Sequence, residues 1–283
     1  MVDPAAVTSR IWRWRSDAAL QEDTDALAVE EPLEIRVRGR AVSVTMRTPG
    51  HDDELAVGFL LSEGLIGSRA DVARVDPCVR ASEGNVINVF LRSGVDVDWE
   101  KLTRHVFASS SCGLCGKASI EAVHGRFPPI EGAPLRVSDA VLQALPNRLH
   151  AAQAAFGRTG GLHAAALFDG EGELRVLRED VGRHNAVDKV LGRALLDGRV
   201  PLGDCLLMVS GRASFEIMQK ALAGGVAMVA AVSAPSSLAV TFARESGQTL
   251  VGFLRPGRMN VYAHRERIGF GGDLTLRCAQ DGR

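Results

Sequence analysis

Aromatic side chains are scarce in this chain, at 5% of its 283 positions, so its core must be built from Ala, Val, Leu and Ile. An excess of charge is missing too: 33 Lys and Arg are matched by 34 Asp and Glu, a formal net charge of −1. That balance argues against a general attraction to nucleic acid or to an anionic membrane, and leaves room only for a local basic pocket. No apolar run reaches the roughly 18 residues of a spanning helix. The most hydrophobic stretch, AGGVAMVAAVSAP from Ala223 to Pro235, is short and interrupted by Gly, Ser and Pro. The N-terminus lacks the basic-then-apolar order of a secretory signal, so the expected compartment is the cytoplasm. No GxGxxG follows a predicted strand and there is no GxxxxGK[ST], which removes the standard dinucleotide and P-loop readings. Cysteines number five, an odd count, and only Cys112 and Cys115 sit close together, which speaks against a disulfide framework.

What is present is a globular composition, 46% hydrophobic and 24% charged, long enough for one large or two ordinary domains. Residues 1–30 are polar and mixed and are expected to form a loose tail, with Trp12 and Trp14 flanking Arg13. Residues 31–132 read as a smaller α+β domain. EIRVRGRAVSVTMRT alternates around Gly39 as a β-hairpin, TPGHDDELAVGFLLSEGLI has the acidic first turn of a helix, and DVARVD and NVINVFLR read as strands. The paired cysteines come near the end of this region, and the proline-rich RFPPIEGAP at 126–134 marks a boundary.

Residues 133–283 have a different rhythm. A helix with Ser138 as N-cap and Pro146 as a kink is followed by two short strands and then by alternating strands and helices, ending in QTLVGFLR and MNVYA. This order predicts an α/β layer, a largely parallel or mixed sheet covered by helices. Three strand-to-helix joints share one form: EDVGRHN (179–185), SGRAS (210–214) and VSAPSS (232–237). Open α/β sheets bind ligands at the carboxyl ends of their strands, and each helix start offers unpaired N–H groups and a positive dipole end. Arg183, with His184 beside it, and Arg212 add charge suited to phosphate. The same small residues also serve turns and caps alone, and His163 in TGGLH fits a satisfied structural histidine.

The segment SSSCGLCGKASI, residues 109–120, leaves three readings open. A zinc site needs four ligands, and one CxxC supplies two; His105 and His124 would have to complete it at unusual spacing. A dithiol redox couple has the spacing of thioredoxin but only a short following helix. A sulfur carrier needs a reactive thiolate with reach. Gly113 and Gly116 give backbone freedom, and a helix start with Lys117 close by favours the thiolate.

Seven stretches in one order carry a resemblance: TPGHDDELAVGFLLSEGLI, SSSCGLCGK, TGGLHAAAL, EDVGRHNAVDKVLG, SGRASFEI, AVSAPSSLAV and GFLRPGRMNVY. Together they resemble the formate dehydrogenase accessory sulfurtransferases, the FdhD family, from about residue 30 to 265. The resemblance implies a cytoplasmic sulfurtransferase that takes sulfur from a cysteine desulfurase as a persulfide. It would deliver that sulfur to the molybdenum or tungsten of the bis(molybdopterin guanine dinucleotide) cofactor used by the formate dehydrogenase apoenzyme. It further implies a cytidine-deaminase-like fold for the C-terminal domain, a homodimer, Cys112 as persulfide carrier and Cys115 as auxiliary thiol. The family's cofactor-binding stretch falls on Phe253, Leu254, Arg255, Pro256, Gly257 and Arg258, and a guanine nucleotide such as GDP would be a partial mimic. The deaminase zinc signature is absent, so deamination and a metal of its own are not expected. The alternative is a non-enzymatic chaperone that shelters the cofactor for the dehydrogenase.

Overall fold

A computed structural model describes residues 4–78, 84–97, 99, 120, 123–132 and 134–271. Cys112 and Cys115, with the serines before them and Lys117, lie outside the described residues, as do His105 and Cys278.

The hairpin predicted around Gly39 is present: β3 (Glu31–Val37) and β4 (Arg40–Arg47) pair antiparallel across a turn where Arg38 and Gly39 both take positive φ. With β5 (Val72–Pro77) and β6 (Val86–Leu91) they form a four-stranded sheet of order β4-β3-β6-β5. Leu33, Ile35 and Val37 alternate inward on β3, as expected for a sheet with one covered face. Helix α1 (Asp52–Ser62) covers that face. It begins with Asp52, Asp53 and Glu54 at its positive dipole end.

The second sheet has six strands in the order β13-β12-β11-β10-β8-β9. Here β8 (His163–Phe168) and β9 (Leu174–Asp180) form an antiparallel hairpin, while β10 (Leu206–Val209), β11 (Met228–Ala231) and β12 (Thr249–Arg255) run parallel. Strand β13 (Arg258–Ala263) closes the edge antiparallel to β12, so the sheet is mixed. Its strands are apolar on both faces, and the two-residue period divides them. Ala164, Ala166, Phe168, Leu206, Met208, Met228, Ala230 and Val251 join one cluster; Ala165, Leu167, Leu207, Val209, Val229, Ala231 and Leu250 join the other. The first cluster is covered by helix α2 (Asp139–Ala152), whose Ser138 hydroxyl accepts a hydrogen bond from Val141 N at 3.2 Å, the predicted cap. Pro146 lies within this helix. The short helix α3 (Ala154–Thr159) follows it, and the two-residue strands β7 (Val137–Ser138) and β14 (Ile268–Gly269) pair parallel nearby.

The other face is covered by α4 (Arg183–Leu196), α5 (Phe215–Ala223) and α6 (Ser237–Glu245). Its cluster does not stop at the proline-rich boundary. Leu33, Leu55, Leu60 and Val89 from the first half belong with Val187, Leu191, Ile217 and Phe242 from the second. The hinge of this union is the contact between α1 and α4. A Cβ built on Gly58 would stand 1.8 Å from the Asp188 carbonyl oxygen, and one built on Gly192 would stand 1.8 Å from that of Glu54. The two backbones touch, each helix giving the glycine the other needs.

One expectation is corrected. The first 30 residues are not a loose tail, because β1 (Ala6–Arg15) and β2 (Ala18–Ala28) form a long antiparallel hairpin. It is held by its own ladder and by cross-strand ion pairs such as Arg13 Nε to Asp23 Oδ2 at 2.6 Å rather than by a covered apolar face.

The α1–α4 contact yields a test. Replacing either Gly58 or Gly192 by Ala forces the helices apart and should destabilise the fold by about 1–3 kcal/mol or more, the usual cost of overpacking. A lowered midpoint in chemical denaturation, with no change at the exposed Gly157→Ala, is the expected result.

Candidate functional site

The parallel strands β10, β11 and β12, the end of β9 and the start of β8 all arrive at one edge of the six-stranded sheet. Three of the strands feed directly into helices there. The N-termini of α4, capped at Gly182, of α5, capped at Ser214, and of α6, capped at Ser236, therefore gather at that edge. The joint segments are tied to each other. Ser210 Oγ accepts from Ala164 N at 2.9 Å, Ser233 N donates to the Gly211 carbonyl at 3.3 Å, and Phe253 N donates to the Ser233 carbonyl at 3.1 Å. The edge is thus a fixed row of backbone and small side chains, the kind of surface that binds phosphate without reorganising.

A cleft of about 540 Å³ opens on this edge. His150 of α2 and Phe156 of α3 form one wall, and His163, Ser210, Val232 and Arg255 from the strand ends form the other. His163 is the meeting point. It is half-buried at the start of β8 opposite Asp180, with Gly211 packed behind it. Burial lowers its pKa, the Arg183 charge lowers it further, and Asp180 opposes both. His163 is therefore neutral near pH 7 and lies within the electrostatic reach of Arg183.

The predicted residues fall into three groups. Arg183 and His184 open α4. The Arg183 Nε atom is buried without a hydrogen-bond partner among the described residues, so its donor is available for an incoming acceptor. His184 Nε2 lies 3.4 Å from Ser214 Oγ and 4.0 Å from Glu216 Oε2. Burial, then the Lys220 and Arg183 charges, press its pKa down to about 4 against the pull of Glu216 and Asp188. Arg212 is exposed on the next joint.

The third group is the β12–β13 hairpin. Arg255 lines the cleft; Pro256 and Gly257 make the turn, where Gly257 N donates to Gln143 Oε1 at 3.1 Å; Arg258 stands opposite Arg255 on the outer strand. Phe253 is 38% exposed and takes φ 51, at a bulge that breaks the β12–β13 register after Gly252. Bulges of this kind re-aim a side chain beside a site. Leu254 differs from its neighbours: it is fully buried in the core under α2, so it supports the hairpin from within.

Residues that the sequence did not mark as functional hold the Arg183 joint in place. The buried Asp180 carboxylate accepts from Thr48 N at 3.2 Å, Gly182 N at 2.8 Å, Asn185 Nδ2 at 3.0 Å and Lys189 Nζ at 2.7 Å. Lys189, 1% exposed, also donates to the Thr48 carbonyl at 2.8 Å, and Asn185 Nδ2 donates to the Met46 carbonyl at 2.7 Å. The end of β4 is thereby stitched to the first turns of α4. A second buried set lies one turn on: Lys220 Nζ reaches Asp188 at 2.8 Å, and Ser62 Oγ donates to Asp188 at 2.7 Å. Only the clustering of polar letters in EDVGRHNAVDK hinted at this in the sequence.

The described cysteines are Cys205 and Cys78. Cys205 is buried and its thiol is pushed up to about 11 by burial and by Asp204, leaving almost no thiolate at neutral pH. Cys78 is half-buried at the end of β5. His124 stacks on Phe242 at 5.3 Å between ring centroids. Among the described residues no three His, Cys, Asp or Glu side chains gather in a set that could hold a metal, and no helix is long and apolar enough to cross a membrane.

Comparison with known proteins adds the context. The model of the FdhD/NarQ family matches residues 28–269. The chain is 56% identical over 252 residues to the sulfur carrier protein FdhD of Mycolicibacterium paratuberculosis, covering 87% of this chain and 92% of that one. It is 54% identical over 259 residues to the protein of the same name from Streptomyces avermitilis, covering 89% and 92%. A crystal structure described as that of a candidate formate dehydrogenase accessory protein from Desulfotalea psychrophila superposes with a TM-score of 0.75 at 27% identity, over 94% of this chain and all of that one.

The low pKa of His184 has a measurable sign. The unfolded imidazole takes up a proton as pH falls through about 6.5, while the folded one stays neutral until about 4. The unfolded state binds more protons between those values, so folding stability must fall as pH drops across that window and level off below it. Denaturation midpoints measured from pH 7 to pH 4 should show this slope, and His184→Gln should make it shallower.

Proposed function

The chain belongs to the FdhD/NarQ family, and from that premise we propose that it is a sulfurtransferase serving formate dehydrogenase maturation, with Cys112 as the carrier. Relatives more than half identical to it are named sulfur carrier proteins, which supports the transfer role. The observation that carries the acceptor half of the reading is the sheet-edge cleft lined by His163, Ser210 and the exposed Arg255, on the edge where three helix N-termini gather and Arg183, with its buried donor, acts electrostatically on His163.

In this reading the Cys112 thiolate attacks the outer sulfur of a cysteine desulfurase persulfide. A new S–S bond forms, the donor's S–S bond breaks, and the donor cysteine leaves as thiolate. The acceptor substrate is the bis(molybdopterin guanine dinucleotide) cofactor, a large polyanion. Arg183 and the helix starts receive its phosphates, Arg255 and Arg258 pair with phosphate or guanine acceptors, and Phe253 stacks on a ring. Attack of Cys115 on the inner sulfur of Cys112 then releases the outer one as hydrosulfide to the bound metal. The Cys112–Cys115 disulfide is reduced by a cellular dithiol before the next cycle. His163 and His184, held neutral, leave the phosphate contacts to the arginines and the backbone. The working unit is a homodimer, and the partners are the desulfurase and the dehydrogenase apoenzyme.

Mass spectrometry after incubation with desulfurase and cysteine should find one added sulfur on the Cys112 peptide, absent in Cys112→Ser. No added sulfur, with stoichiometric metal on the purified protein instead, would favour a cofactor-sheltering chaperone. Arg183→Ala and Arg255→Ala should each weaken GDP binding in calorimetry about 10- to 100-fold, the worth of one charge-assisted hydrogen bond. Unchanged affinity in both would remove the nucleotide from this cleft.

A further inference from the structure

The β1–β2 hairpin stands apart from the machinery described so far. It lies almost wholly before the family match, which begins at residue 28. It forms a sheet of its own, joined to neither of the larger ones, and meets the body at α3. A two-stranded hairpin of this length is marginally stable in water unless something packs against a face.

Its two faces differ. Trp12 and Trp14 lie two residues apart on β1 and share a face. Trp12 pairs with Glu22, which places Leu20, two residues from Glu22, on that same face. These are among the most exposed large apolar side chains described: Trp12 68%, Trp14 70% and Leu20 57%. On the opposite face Ser9, Ile11 and Arg13 are half-buried, and Arg13 is tied to Asp23. One face is thus half-buried with Arg13 tied to Asp23, and the other presents two indoles and a leucine at the hairpin tip.

We propose that this Trp12–Trp14–Leu20 face docks on the same face of a second copy of this chain and is a homodimer contact. The charge pattern selects this occupant. Strand β1 carries Arg10, Arg13 and Arg15 and no acid; β2 carries Glu22, Asp23 and Asp25 and no base. Two-fold pairing edge to edge would set base against base or acid against acid, which repels. Pairing the basic edge of one copy with the acidic edge of the next is head-to-tail and leaves open ends. Face-to-face pairing has neither fault. The Trp face carries one cation, Arg10, and one anion, Glu22, 3.9 Å apart and both exposed. It is net neutral and self-complementary, so each Arg10 can meet the Glu22 of the other copy about a two-fold axis. The area suffices as well. Four indoles and two leucines remove about 600–1,000 Å² from water, and the flanking Thr8, Arg10, Glu22 and Thr24 carry the contact past the ~1,000 Å² that a specific interface requires.

The inference rests on the reading that the protein works as a pair of copies, and sedimentation analysis separates the two. Wild-type chain should sediment as two copies across the micromolar range, and Trp12→Ser/Trp14→Ser as one. The variant should keep an unchanged far-UV spectrum and unchanged persulfide loading. A one-copy wild type overturns both the pairing and the contact. A two-copy double variant overturns the contact alone, and so does a two-copy variant that has lost binding to purified desulfurase or dehydrogenase, which would assign the face to that partner. Should the double variant fail to fold, Arg10→Glu should weaken the dimer and Arg10→Glu/Glu22→Arg restore it; equal dimer strength in all three chains overturns the proposal.

Discussion

The architecture depends on two helices approaching closely enough for their backbones to touch. At the α1–α4 crossing, Gly58 lies against the Asp188 carbonyl and Gly192 against the Glu54 carbonyl, with no space for a side chain at either place. Because α4 begins at Arg183, the position of α1 sets where that arginine stands. The buried set of Thr48, Asp180, Asn185 and Lys189 completes the link with directional bonds. A buried ion pair of this kind adds little net stability, since desolvation offsets most of its attraction. Its effect is positional: Asp180 accepts four donors from two separate stretches of chain, Thr48 and the 182–189 segment, and a shifted joint would leave several of them unpaired in the interior. Glu54 plays a matching part at the other end of the crossing. Burial opposes its ionisation, but hydrogen bonds from His51 and Arg178 outweigh that and hold its carboxyl down to about 2.

Given that frame, the chemistry of the sheet edge follows from topology. Parallel strands that run straight into helices bring positive dipole ends together at one edge, and antiparallel β8 brings His163 to the same edge from the opposite direction. Arg183, Arg212 and Arg255 stand along that edge although the whole chain carries a formal net charge of −1. Burial is the first cause of the low pKa values of His163 and His184, and the Arg183 charge adds to it in both cases. A polyanionic guest would offset that arginine charge.

Much of the fold was legible in the sequence, for identifiable reasons. Alternation around Gly39 gave β3 and β4, the acids before Leu55 gave the start of α1, and the small-residue joints gave the α/β order of the second half with its three helix starts. The N-terminal hairpin was not legible. Its strands bear charge and apolar residues on both faces and turn without glycine at Ser16–Asp17, so no half-buried alternation reveals them. At the site, Arg183, His184 and Arg255 could be named because their motifs are local. The partners that hold them could not: Thr48 lies 132 residues from Asp180 and 141 from Lys189, and in sequence a buried lysine looks like any surface lysine. Leu254 shows the converse, a residue inside the stretch expected to bind cofactor whose side chain belongs to the core.

The hydrophobic interior that runs unbroken from Leu33 to Ala263 bears on how such a protein can change over generations. Most two-part proteins can lend one part to another gene, because each part keeps its own oily centre. Here only the cluster under α2 belongs to one part, and the larger cluster draws on both. Recombination that separated the four-stranded sheet from the six-stranded one would strip both of cover and deprive α4 of the backbone it rests on. The two halves therefore share one interior and must be inherited together, while the hairpin at the front of the chain hangs outside it.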